Sequence, residues 1–152
     1  MKDFNKIQEV MYRCTMEAIR NIKILPLKFA SAKALYVYAY NYNWDDGFEI
    51  PNLILNNRKC DLSIALLLFY QAEGTEFWEY DFSDEDGFVA KEHYAFISKL
   101  HDDIVNGRYI KGNIQFKIPL SRVEKYKLSK LLNEKEAVFL NDIDGKDLDI
   151  DL

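Results

Sequence analysis

Between Leu62 and Ala72 the chain reads LSIALLLFYQA, and Leu62, Ile64, Ala65, Leu66, Leu67, Leu68 and Phe69 leave it no polar side. A helix that is apolar all round has to be enclosed by other elements, so this stretch predicts the centre of the core. Asp61 precedes it as a cap, its carboxylate accepting from the free N–H groups of the first turn. Gly74 is the expected stop. The longest apolar runs, Ala34–Tyr40 and Ile64–Tyr70, are seven residues each. A membrane helix needs about 20, so the stretch reads as core and no membrane partner is expected. With 152 residues the chain fits one domain, which buries roughly 70% of the surface its unfolded form exposes.

The remaining pattern supplies the enclosure. Phe4, Ile7, Met11, Cys14, Ala18 and Ile22 fall on one helical face. Pro26 breaks that pattern, and a second helix is expected over Leu27–Tyr40. Pro51 suits the first turn of a short helix ending near Asn56. Another helix spans Ala90–Asn106, and Ser121 with Glu124 forms a capping box that opens one running to about Leu132. Ile114, Phe116 and Ile118 alternate with Asn113, Gln115 and Lys117, which predicts a short half-buried strand over Gly112–Pro119. Glu136–Asn141 is its expected second strand. The fold class is therefore mainly α: a single compact domain of about six helices over 1–133, with at most one short β-hairpin near the C-terminus. Residues 134–152 are read as an acidic extension, partly frayed. YNYNWDDGF at Tyr40 is echoed by YDFSDEDGF at Tyr80; the spacing fits HEAT-like helix pairs, but with two copies only, recurrent turn chemistry is the better account.

Charge is distributed in blocks. Net charge is −5, and residues 134–152 carry all of it, with seven acids and two lysines. Within the neutral remainder, Glu73–Asp86 holds seven acids and no base, whereas Arg108–Lys130 holds seven bases against Glu124 alone. The acidic block also contains Phe77, Trp78, Tyr80 and Phe82. Aromatics anchor interfaces while surrounding charges set approach and specificity, so Phe77, Trp78, Tyr80, Phe82, Asp84, Glu85 and Asp86 form the candidate partner-binding edge, and the partner is expected to be a basic protein. The competing account turns the aromatics inward and leaves only acids outside. The basic block interleaves Tyr109, Phe116 and Tyr126 as nucleic-acid surfaces do, but the acidic whole repels phosphate, and no nucleic acid is expected.

Motifs for catalysis are sparse. Asp45, Asp46 and Glu49 beside Trp44 make the tightest carboxylate cluster, and such a group binds a divalent cation or shares a proton. A metal-dependent hydrolase or transferase built on these three is the enzymatic alternative. The plainer reading makes Trp44, Asp45, Asp46 and Gly47 a structural turn, with an aspartate bonding its own backbone and Gly47 at positive φ. Calcium-loop spacing fails because glycine follows the acids directly, here and at Asp84–Gly87 and Asp142–Gly145. His101, late in a helix, reads as a surface residue stabilised by the helix dipole. Cys14 and Cys60 read as reduced buried thiols. The expectation is no catalytic residue, no metal and no cofactor, in a cytoplasmic protein whose N-terminus, MKDFNKIQEV, lacks a signal-peptide core.

Three strings, NYNWDDGFEIP (Asn41–Pro51), CDLSIALLLFYQAEG (Cys60–Gly74) and IQFKIPLSRVEKYKLSK (Ile114–Lys130), resemble a bacterial domain family of unknown function. The resemblance covers about Leu35–Leu132 and implies a small, mostly helical cytoplasmic protein with no assigned activity. In size and charge such proteins are similar to immunity proteins of bacterial toxin systems, an analogy and not a demonstration.

Overall fold

The computed structural model describes Leu27 and residues 30–79 and 88–150. The helix expected over Phe4–Ile22, with Cys14, lies outside the described residues. So does the segment holding Tyr80, Phe82, Asp84, Glu85 and Asp86, and with it the second copy of the turn echo.

The described residues are mainly helical: α1 Ala32–Tyr40, α2 Glu49–Asn56, α3 Leu62–Gln71, α4 Glu76–Glu79, α5 Phe88–Val105 and α6 Arg122–Ser129, with 3-10 helices at Trp44–Asp46 and Glu134–Leu140. No sheet occurs among them. α1 begins at Ala32 rather than Leu27, because the Ser31 hydroxyl accepts from the Ala34 N–H and sets the first turn there.

The apolar stretch does occupy the centre. Ser63 through Phe69 of α3 are all buried, and α3 packs against α1, α2 and α5. Its N-terminus is held from two sides. Asp61 Oδ1 accepts from Ile64 N–H at 3.0 Å, and the 110–114 segment crosses the same end. There the Leu62 N–H donates to Ile110 O, and Ser63 Oγ to Ile114 O at 2.7 Å. Burial raises the Asp61 carboxyl above its ordinary value, against the opposing pull of the Ile64 and Ser63 N–H groups.

At its other end α3 stops differently from expectation. The residue in left-handed space is Glu73 (φ 58°), not Gly74. Gly74 is needed for closeness: a Cβ there would stand 2.5 Å from the Phe69 ring.

The C-terminal stretch departs most from the sequence reading. Glu136–Asn141 is not a strand. Asn133 Oδ1 accepts from Glu136 N–H at 3.1 Å and Glu136 Oε2 accepts from Asn133 N–H at 2.9 Å, a capping box that starts a helical turn. The alternation in 113–118 is real, with Ile114, Phe116 and Ile118 buried, but its partner is 142–146. Two isolated bridges join them, Phe116 with Ile143 antiparallel and Ile114 with Lys146 parallel. Gly145 permits the approach, since a Cβ would lie 2.6–2.7 Å from the backbone of Asn113–Gln115. Residues 134–150 are thus packed rather than frayed: Phe139 and Ile143 belong to the same core as α3.

The NWDDGF turn is a structural element. Gly47 has φ 86° and ψ −162°, a combination reserved for glycine, and its carbonyl accepts from the Tyr42 hydroxyl at 2.6 Å. The space beside it is open, so the cost of a side chain there is the backbone conformation itself. Gly47→Ala is expected to destabilise by about 1 kcal/mol or more. Denaturant titration checks this, and an unchanged midpoint would mean that the turn relaxes freely.

Candidate functional site

The acidic-aromatic stretch leaves α3 through Glu73 and continues into the single turn of α4. Its two described aromatics point into the protein. Trp78 packs edge-on against Phe69 (5.7 Å) and Phe139 (5.0 Å), and its Nε1 donates to Glu136 Oε1 at 3.2 Å. Phe77 stacks on the His101 ring at 4.1 Å and on Tyr94 at 6.5 Å. The inward account therefore describes Phe77 and Trp78, both half-buried.

Behind them lies a polar cluster that the sequence reading did not assemble. His101 is buried, not at the surface. Its ring is stacked between Phe77 and Phe139, its Nε2 is 2.7 Å from Glu136 Oε1, and its Nδ1 is 2.9 Å from Asp102 Oδ1. Burial pushes the Glu136 carboxyl up, but the Asn133 N–H, His101 and Trp78 together outweigh it and hold the group below its ordinary value. By sign, this carboxylate contributes stability above the ordinary glutamate range and loses it as pH falls through the lowered value. The signal for Glu136 was present as the Asn133-x-x-Glu136 spacing. For His101 it was the position between Ile97 and Ile104 on the buried face of α5.

With the aromatics turned in, acids face out. Glu73 and Glu79 are exposed and Glu76 is half-buried between them. Partial burial, then the hydrogen bond and charge of Glu73, raise the Glu76 carboxyl above its ordinary value; Glu79 adds to this, and His93, 3.8 Å away, opposes it. Glu73 holds left-handed backbone that glycine adopts at no cost, a strain of roughly 1 kcal/mol. The result is a like-charged ledge on a rigid aromatic backing.

The other candidates are placed differently. Asp45, Asp46 and Glu49 are exposed, and the cap of their turn is Asn43, whose Oδ1 accepts from Asp45 N–H. Among the described residues no group of three or more His, Cys, Asp or Glu is gathered to hold a metal ion. Cys60 is buried, and burial followed by the Asp61 charge pushes its thiol up to about 12, so it is protonated at neutral pH. No helix among the described residues is long and apolar enough to cross a membrane.

A family model described as a domain of unknown function, DUF4274, matches residues 30–105, half the chain. The chain belongs to the DUF4274 family. The DUF4274 match runs from the start of α1 to the end of α5, so it takes in the NWDDGF turn, α3 and the acidic ledge. It stops short of α6 and the 3-10 helix that buries Phe139. No curated protein and no solved structure matches the chain.

Proposed function

We propose that this DUF4274 protein is a non-enzymatic cytoplasmic interaction module that presents its acidic ledge to a basic protein. The observation that carries this reading is the crowding of Glu73, Glu76 and Glu79. Partial burial first, then the hydrogen bond and charge of Glu73 and the charge of Glu79, raise the Glu76 carboxyl above its ordinary value, and an approaching cation relieves the like-charge part of that. Phe77 and Trp78 hold the ledge from behind, so little ordering remains to be done on binding. Tyr80, Phe82, Asp84, Glu85 and Asp86 extend the same acidic sequence and complete the proposed edge. A cationic substrate cleft in a toxin domain has the complementary chemistry, and occupying it would make this an immunity protein.

The test begins with affinity capture from the native cytoplasm, where the captured partner should be basic. Changing Asp84, Glu85 and Asp86 together to Ala should then slow association and flatten its salt dependence while leaving thermal stability little altered. An unchanged rate and salt dependence would place recognition elsewhere. Calorimetric titration with magnesium, manganese, calcium and zinc separates the metal-enzyme alternative at Asp45, Asp46 and Glu49, since only that reading expects heat of binding.

A further inference from the structure

α6 is attached by little of its surface. Of its eight residues only Leu128 is buried, and Lys125 reaches back to Asp142 at 3.8 Å. The opposite side carries Val123 and Tyr126, 61% and 63% exposed, and Leu131 just beyond the helix is 53% exposed. These are three of the six exposed large apolar side chains among the described residues, gathered within nine positions. Isolated exposed apolar residues are ordinary, whereas a concentration of them marks a contact surface. Arg122, Lys127 and Lys130 flank them, all exposed, and the Lys130 ammonium lies 4.5 Å from the Tyr126 ring centre. The helix's one acid, Glu124, is turned to its own N-terminus, accepting from Ser121 N–H at 2.7 Å. The outer face of α6 is therefore apolar and positive.

A complementary face exists on the same molecule. The α4 ledge with Glu73 and Glu79 is exposed and negative, and no ion pair among the described residues joins it to α6. The Glu134–Leu140 helix stands between them, packed on α6 on one side and reaching Trp78 of α4 through Glu136 on the other. Two opposite charges held apart on one rigid body can meet only between molecules.

We infer that the α6 face docks a second copy of this chain, through the Glu73 and Glu79 ledge of that copy. The contact is head-to-tail, so one copy is left with a free ledge and the other with a free α6 face, and association continues past a dimer unless a ring closes. Charge sets its approach and its salt sensitivity, and Tyr126 with Val123 supplies the apolar centre. It shares the acidic ledge with the interaction proposed above, so self-association competes with partner binding, but purified protein alone tests it and the two outcomes are separate.

Sedimentation velocity of the purified full chain should show a sedimentation coefficient that rises with concentration at low ionic strength and returns to the monomer value at about 0.5 M salt. Two charge-reversed variants sharpen the assignment. One carries Glu73→Lys and Glu79→Lys, so that both faces are basic; the other carries Arg122→Glu, Lys127→Glu and Lys130→Glu, so that both are acidic. Each should sediment as a monomer alone, and an equimolar mixture should associate again. Circular dichroism establishes that both variants are folded. A wild-type protein that stays monomeric at every concentration in low salt overturns the inference. So does a folded variant that associates alone as the wild type does, or a mixture of folded variants that fails to associate.

Discussion

Phe139→Ala is expected to lower the unfolding free energy by about 3–5 kcal/mol. The residue lies in the acidic extension, in the run that reads as a second strand, and its side chain is wholly buried. Phe69 is 4.6 Å away across a tilted ring contact, Trp78 meets it edge-on, and the His101 ring lies parallel at 5.5 Å. Its carbonyl accepts from the Tyr70 hydroxyl of α3. Truncation removes the aromatic that joins α3, α4 and α5 to the C-terminal 3-10 helix, and it opens the buried His101–Glu136 pair to a void. Since small domains are stable by about 5–15 kcal/mol, the loss takes a large share of the total. Denaturant unfolding measures it. Amide hydrogen exchange should also show Phe116 and Ile143, which exchange two backbone hydrogen bonds, protected together in the wild type and exposed together in the variant. A loss under about 1 kcal/mol would restore the frayed-tail reading.

What the sequence made legible was whatever a local pattern encodes. The apolar surround of α3, the Asp61 cap, the Ser121–Glu124 box and the positive φ of Gly47 are all present as predicted, because each depends on residues within a turn of one another. The misplacements share a different cause. Asn133-x-x-Glu136 is the same kind of box as Ser121-x-x-Glu124, but the β-branched and aromatic run after it resembled a strand, and the cap decided. Alternation in 113–118 showed which side chains turn in, not which segment pairs with them. That choice depends on Gly145, thirty residues away, admitting the other backbone.

The candidate site was legible in composition and not in orientation. Seven acids and four aromatics in one stretch are compatible with aromatics facing either way. The choice for Phe77 and Trp78 is made by distant groups, Phe69, His101, Glu136 and Phe139, that create a place for two rings and one indole N–H. Burial of His101 was hidden for the same reason. A histidine next to an apolar stripe is unremarkable until a carboxylate from another segment comes within 2.7 Å. Of the acids among the described residues of that stretch, Glu73 and Glu79 are exposed and Glu76 is half-buried between them.

Leu66→Ala is the second large effect expected, about 2–5 kcal/mol. Leu66 is wholly buried, and its neighbours Ile64, Ala65, Leu68 and Phe69 are equally enclosed, so no side of α3 can rotate toward water to relieve a deletion. α3 is hemmed in by α1, α2 and α5 and is tethered at its N-terminus by Ile110 and Ile114. A void there is not closed by moving one element, because each neighbour is also held by another. That argument fixes where in the range the cost should fall: toward the upper end, where collapse is least. Leu66→Met supplies the comparison, since it nearly preserves volume and apolarity and should cost under about 1.5 kcal/mol. Alanine favours helix more than leucine does, so a loss in the alanine variant cannot come from backbone propensity. If denaturant titration finds the two variants alike, or the alanine variant down by less than about 1 kcal/mol, α3 is not the element around which the others are packed.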